Sequence, residues 1–204
     1  MQSDQTVFVI DDEEAVRDSM QIMLERRGYE VRAFASAEEF LEAYQSSSIG
    51  CVVCDVRLGG QSGLELQREL DRRKCALPVI LITGHGDIEM AVAAVKRGAF
   101  DFIEKPFEDG RLYTSVAQAL TAGREFLAKE EEVTALRNRI AELSPRQREV
   151  MELLIDGLSN KEIGRELRIS PRTVETYRAF VMAKMGASSL AELVKMAIRV
   201  GLQS

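Results

Sequence analysis

The residues able to do chemistry in this chain gather where short apolar runs stop. Gly50-Cys51-Val52-Val53-Cys54 stops at Asp55, and Thr6-Val7-Phe8-Val9-Ile10 stops at Asp11-Asp12-Glu13-Glu14. Pro78-Val79-Ile80-Leu81-Ile82 stops at Thr83-Gly84, and Phe100-Asp101-Phe102-Ile103-Glu104 stops at Lys105-Pro106. Three carboxylates brought together raise one another's pKa unless a cation joins them. Oxygen ligands at this density suit Mg²⁺, which takes one or two carboxylates and fills its shell with water and phosphate. One lysine and one hydroxyl suit the oxygens of a transferred phosphoryl group. The set reads as a magnesium-assisted phosphoryl acceptor with Asp55 as the nucleophile. Loops are polar, so one acid at a strand end means little. Four runs each ending in a different required group mean more.

The elements that must position these groups are strands and helices in alternation. Apolar runs without polar interruption read as strands buried on both faces of a parallel sheet, and ligands of such sheets sit beyond the carboxyl ends. Between them, Ala15 to Arg27 places Val16, Met20, Met23 and Leu24 on one helical face, closed by Gly28. Tyr29 to Phe34 alternates as a strand, and Ser36 caps a helix carrying Phe40, Leu41 and Tyr44. Ser46-Ser47-Ser48 is a loop, Ser62 caps a helix with Leu64, Leu66 and Leu70, and Asp87 caps another from Ile88 to Arg97 that Gly98 stops. The pattern predicts a doubly wound, flavodoxin-like α/β fold of strand order 2-1-3-4-5, with its cleft at the switch point between the first and third strands.

Across roughly residues 5–120 the chain resembles the receiver domain of two-component response regulators. The resemblance implies that Asp11, Asp12, Asp55 and the Arg57 backbone carbonyl hold Mg²⁺. It also implies that Asp55 accepts the phosphoryl group, that Thr83 and Lys105 bind its oxygens, and that Phe102 is the switch aromatic. One departure stands out: the usual Met-Pro-Gly after the acceptor is Leu58-Gly59-Gly60. Losing that proline frees the backbone at Gly59 and is expected to loosen the loop. His85, the single histidine, reads as a solvated or capping loop residue rather than a base.

Two small domains fit 204 residues better than one. The 46% apolar and 29% charged content is ordinary for globular chains. No apolar run nears the length of a membrane span and no signal-like start is present, so a soluble, cytoplasmic protein without membrane contact is expected. The net charge of −6 is uneven: ten basic and seven acidic residues lie from Ser144 onward, against seventeen and twenty-six before it. A basic C-terminal part beside an acidic N-terminal part points to a polyanion for the former alone. Cys51 and Cys54 have CxxC spacing, but within a buried strand they read as small hydrophobes rather than a redox pair.

From Asp109 to Leu143 the sequence reads as nearly continuous helix, with Phe126, Val133, Leu136, Ile140 and Leu143 at 7-3-4-3 spacing. Two readings stand side by side: a helix docked on its own domains, or a dimerising or signalling linker. Ser144-Pro145 opens the next helix, which Gly157 ends. Ser159 with Glu162 forms a capping box for a short second helix. Arg168-Ile169-Ser170 breaks it before Pro171-Arg172-Thr173-Val174-Glu175-Thr176-Tyr177-Arg178. Two short helices around such a break describe a helix-turn-helix. Val174, Tyr177, Val181 and Met185 face its core, leaving Arg172, Thr173, Glu175, Thr176 and Ala179 to enter a major groove. Lys161 and Arg178 suit phosphates.

Residues 143–194 resemble the LuxR-type DNA-binding domain, through Leu-Ser-Pro-Arg-Gln-Arg-Glu-Val, Gly-Leu-Ser-Asn-Lys-Glu-Ile and Arg-Thr-Val-Glu-Thr-Tyr-Arg. Glu175 stands where many relatives carry Lys and can accept from a cytosine amine. Phe180 stands where relatives are commonly polar. The whole chain looks like a FixJ-type response regulator, divided as a receiver at 1–122, a helical linker at 123–142 and an all-α helix-turn-helix domain at 143–204. That likeness implies a transcription factor rather than an enzyme, with slow autodephosphorylation. Its partners would be a sensor histidine kinase, double-stranded DNA and RNA polymerase. When phosphorylated it would form a homodimer through the helix over Ile88 to Arg97 and the last strand. Two other classes share parts of the pattern: a receiver whose output is RNA or protein binding, and a metal-dependent phosphohydrolase.

Overall fold

The structure is a computed structural model, and it describes residues 5–44, 49–84 and 93–202. The chain divides into two compact units, Met1–Leu127 and Ala128–Ser204. The sequence expectations for the serine loop, for His85 and for the cap at Asp87 lie outside the described residues.

In the first unit five parallel strands form one sheet: β1 Thr6–Ile10, β2 Glu30–Phe34, β3 Gly50–Asp55, β4 Val79–Thr83 and β5 Asp101–Glu104, in the order β2-β1-β3-β4-β5. Alternate side chains of the central strands feed two separate cores. Phe8, Ile10, Val52, Cys54 and Leu81 pack with helices α2 (Ala37–Ala43) and α3 (Gly63–Arg72). Val7, Val9, Cys51, Val53 and Ile80 pack with helix α1 (Glu14–Glu25) and the N-terminal part of helix α4 (Asp109–Ala141). Every residue of β3 and β4 is buried, which is why these strands read as continuous apolar runs rather than as an alternation. Phe8, Phe34, Phe40 and Tyr44 stack edge-on or tilted under α2 and fix its place beside β1.

Caps define the helix starts. Ser36 accepts from the Glu39 amide, and Ser62 forms a full capping box with Glu65 at α3. At Gly63 a Cβ would fall 2.4 Å from the Asp55 carbonyl oxygen, so only glycine lets α3 begin against the end of β3.

In the second unit α5 (Pro145–Ile155), α6 (Asn160–Glu166), α7 (Pro171–Met185) and α8 (Leu190–Arg199) surround one core. Val150, Leu154, Ile163, Val174, Val181, Met185 and Leu193 fill it, together with Leu136, Ile140 and Leu143 from the end of α4 and the turn after it. The apolar stripe of the long helix therefore ends as core of this unit, whereas Phe126 is half exposed. Between α6 and α7, Arg168 has φ 54 and a Cβ on Gly164 would lie 2.8 Å from the Ile169 carbonyl, so the break between the two helices is close-packed. Among the described residues no helix is long and apolar enough to cross a membrane.

Candidate functional site

Strand ends bring the predicted acidic residues and the lysine to one edge of the sheet. Asp11 follows β1, Asp55 ends β3, Thr83 ends β4 and Lys105 follows β5. Asp11 is 1% exposed, Asp55 8% and Thr83 1%. The Lys105 ammonium donates to Asp55 Oδ2 at 2.5 Å and to Asp11 Oδ2 at 3.0 Å, drawing together residues 50 and 94 positions away in sequence. The other oxygen of each acid is held by its own loop. Asp55 Oδ1 accepts from the Arg57 amide at 2.7 Å, and Asp11 Oδ1 accepts from the Glu13 amide at 2.9 Å. The Lys105 amide donates to the Thr83 carbonyl at 2.7 Å, which fixes the lysine beside the threonine. Burial disfavours the Lys105 ammonium, but its hydrogen bonds with Asp55 and Asp11 and their charges outweigh that and hold its pKa above the ordinary lysine value.

Asp12 is exposed, and its carboxylate lies along the loop after the acceptor, where a Cβ on Gly59 would come 3.6 Å from Oδ2. Arg57 is present here through its amide; its carbonyl is the atom expected to meet a metal. Phe102 is half-buried and packs against the core cluster shared by α2 and α3.

These residues suit a hard divalent cation. The donors are all oxygen, and one ammonium bridges two buried carboxylates with the exposed Asp12 next in sequence to one of them, leaving an excess of negative charge at the edge. Among the described residues no three acidic, histidine or cysteine side chains converge closely enough to form a metal cage alone. Mg²⁺ takes few protein ligands and completes its shell with water, carbonyl or phosphate oxygen.

The second unit presents a different surface. Arg172, Glu175, Thr176 and Ala179 line an open groove of about 560 Å³ on α7, together with Phe180 and Ala183. The Thr176 hydroxyl donates back to the Arg172 carbonyl at 3.2 Å, and the Thr173 hydroxyl pairs with that of Ser170 at 2.8 Å. Both threonines thus hydrogen-bond within the helix start, and they are exposed along with Arg172, Glu175 and Ala179. Lys161 is exposed, and the half-buried Arg178 reaches Asn160 Oδ1 at 3.4 Å, pointing from α7 toward the start of α6. Phe180 is 57% exposed beside the face expected to read bases.

Sequence reasoning missed several contributors. Arg17 donates to the Asp11 carbonyl at 2.7 Å, and a contact to a main-chain oxygen leaves no motif behind. Arg139 donates to the Met185 carbonyl at 2.9 Å and Arg146 to that of Leu167, tying α4 and α5 to the ends of α7 and α6. Helix α8 also went unread, although Ser189 three residues before Glu192 and the spacing of Leu193 and Ala197 mark it.

Residues 7–117 match the family described as response regulator receiver domain, and residues 141–197 match bacterial regulatory proteins of the luxR family. The transcriptional regulatory protein FixJ of Bradyrhizobium diazoefficiens is 48% identical over 196 residues, 96% of either chain. FixJ of Rhizobium meliloti is 46% identical over 203 residues, 98% of either chain. The solved structure of the response regulator StyR superposes with a TM-score of 0.83 at 38% identity, covering 97% of this chain and all of that one. A parallel sheet of order β2-β1-β3-β4-β5 followed by a LuxR-type helical unit thus places this chain in the family of response regulator transcription factors that join a receiver to a LuxR-type DNA-binding domain.

Proposed function

We propose that a sensor histidine kinase phosphorylates Asp55 and that the phosphorylated chain dimerises and binds double-stranded DNA to regulate transcription. The observation that carries this reading is the bridge from Lys105 to Asp55 and Asp11, which holds an ammonium directly against the acid read as the acceptor. An Asp55 oxygen attacks phosphorus as the bond to the donor's histidine nitrogen breaks, leaving an acyl phosphate on Asp55. Lys105 and the Thr83 hydroxyl then meet the new oxygens, and Phe102 is the aromatic whose packing follows Thr83. Asp11, Asp12, Asp55 and the Arg57 carbonyl hold Mg²⁺, which when bound neutralises charge on the transferring group. Hydrolysis of the acyl phosphate is slow, so the protein is a switch rather than an enzyme.

Residues 1–122 act as the receiver, 123–142 as a helical linker and 143–204 as the DNA-binding part. Arg172, Thr173, Glu175, Thr176 and Ala179 face the major groove, Lys161 and Arg178 meet phosphates, and RNA polymerase is the downstream partner in the cytoplasm. Support comes from the exposure of the α7 face and from the excess of basic residues after Ser144.

Incubation with a small acyl phosphate and Mg²⁺ tests the reading. The wild-type chain gains one phosphoryl mass, Asp55→Asn gains none while staying folded, and excess chelator suppresses the gain. Undiminished labelling of Asp55→Asn would remove Asp55 as the acceptor.

A further inference from the structure

The loop after the acceptor lacks the proline that would fix its backbone, yet it is tied down. Neither Gly59 nor Gly60 adopts a left-handed conformation, so neither glycine is required by its dihedral angles. Glu38 lies near the start of α2, where Ser36 accepts from the Glu39 amide and Glu39 accepts from the Ala35 amide at 2.9 Å. The Glu38 carboxylate also reaches across 23 positions of sequence, where its Oε1 accepts from the Gln61 amide at 2.9 Å. A Cβ on Gly60 would lie 2.9 Å from the same oxygen, so glycine is the residue that leaves room for the carboxylate. At the other end of the loop, the Arg57 amide is held by Asp55 Oδ1. The Gln61 hydrogen bond, the largest influence on Glu38, keeps its carboxyl below the usual glutamate range.

We propose that Glu38 is a positioning residue for the phosphoryl-acceptor site, anchoring the segment from Leu58 to Gln61 so that the Arg57 carbonyl and Asp12 stay aimed at the metal position. A flexible glycine pair loses more freedom on ordering than a proline would, and a hydrogen bond to a carboxylate offsets that loss. The inference rests on the proposed role of Asp55.

The test uses the full-length chain and two readouts: amide exchange at Gln61 without metal, and the Mg²⁺ concentration giving half-maximal phosphorylation by acetyl phosphate. Glu38→Ala speeds exchange at Gln61 about tenfold and raises the half-maximal Mg²⁺ concentration about threefold to tenfold. Glu38→Gln, whose amide oxygen still accepts, recovers most of both. Gly60→Ala displaces the carboxylate and reproduces Glu38→Ala, and the double variant is no worse than either single one, because both remove one contact. Wild-type values in Glu38→Ala overturn the inference. So does faster exchange with unchanged Mg²⁺ dependence, which would make the contact structural only. Failure of the wild-type chain to take up phosphate, or labelling of Asp55→Asn, would instead overturn the reading of Asp55.

Discussion

The acceptor edge and the α7 face solve opposite problems. At the sheet edge the reactive groups come from distant parts of the chain, and the buried ones have their oxygens and ammonium already engaged within the protein. On α7 the groups come from one stretch of helix, and those that remain exposed wait for an external partner. The first arrangement suits chemistry, because positioned charge needs no reorganisation when a phosphoryl group arrives. The second suits recognition, for which exposed arginine and glutamate side chains are available to an external partner. A single chain thus holds one site made rigid by its fold and one left open by it.

The largest effect should come from breaking the rigid site. Lys105→Met leaves Asp11 and Asp55 facing each other without their shared cation, and phosphoryl uptake from acetyl phosphate should fall about 10²–10³-fold. An intact rate would show that the bridge is not part of the transfer machinery. Core truncations come next and separate the two regions. Leu66→Ala and Leu154→Ala each remove a fully buried side chain from a different core and should each cost about 2–5 kcal/mol in urea unfolding. Leu154→Ala should lower DNA affinity while leaving phosphoryl uptake near wild type, and equal loss of both functions would contradict the division into two units.

On the open site, Arg172→Ala should cost about 1–3 kcal/mol at one base pair and relax preference there, whereas Lys161→Ala should weaken all sequences alike and reduce the salt slope by about one unit. Titrations of matched and scrambled duplexes at several salt concentrations distinguish them. The smallest effect belongs to Glu175→Ala. Its negative charge opposes phosphates, so non-specific binding should hold or tighten slightly while discrimination at one base pair falls. Equal weakening of specific and non-specific binding would make Glu175 structural.

Much of this comparison was legible in the sequence because both sites rest on strong local patterns. Strands buried on two faces read as apolar runs, and the ends of β1, β3 and β4 place Asp11, Asp55 and Thr83; Lys105 follows the partly buried β5, where Asp101 and Glu104 interrupt the pattern. The breaks at Gly157 and Arg168-Ile169-Ser170, and the serines before each helix, mark the second unit equally well. What escaped was long-range or made with main-chain atoms. The contact between Glu38 and the Gln61 amide joins two elements whose proximity only the tertiary fold creates, and Arg17 meets a carbonyl that any residue could supply. The expectation of a loosened loop was drawn from the missing proline alone; the Glu38 contact that bears on the same loop left no mark in the sequence. The heptad-like spacing from Phe126 to Leu143 likewise left two readings open, and the burial of Leu136, Ile140 and Leu143 shows the end of that stripe packed inside its own unit.

The thiol beside the acceptor carries a last consequence. Cys54 immediately precedes Asp55 and its Sγ donates to the Asp55 carbonyl at 3.2 Å, while Cys51 lies three residues earlier in the same strand. Burial pushes the Cys51 thiol up to about 12, and burial followed by the charges of Asp55 and Asp11 pushes Cys54 up as well. Thiolates, not thiols, react with peroxides and electrophiles. Burial, with the charges of Asp55 and Asp11 adding to it at Cys54, therefore keeps both thiols protonated, so the CxxC spacing gives this strand end no reactive thiolate.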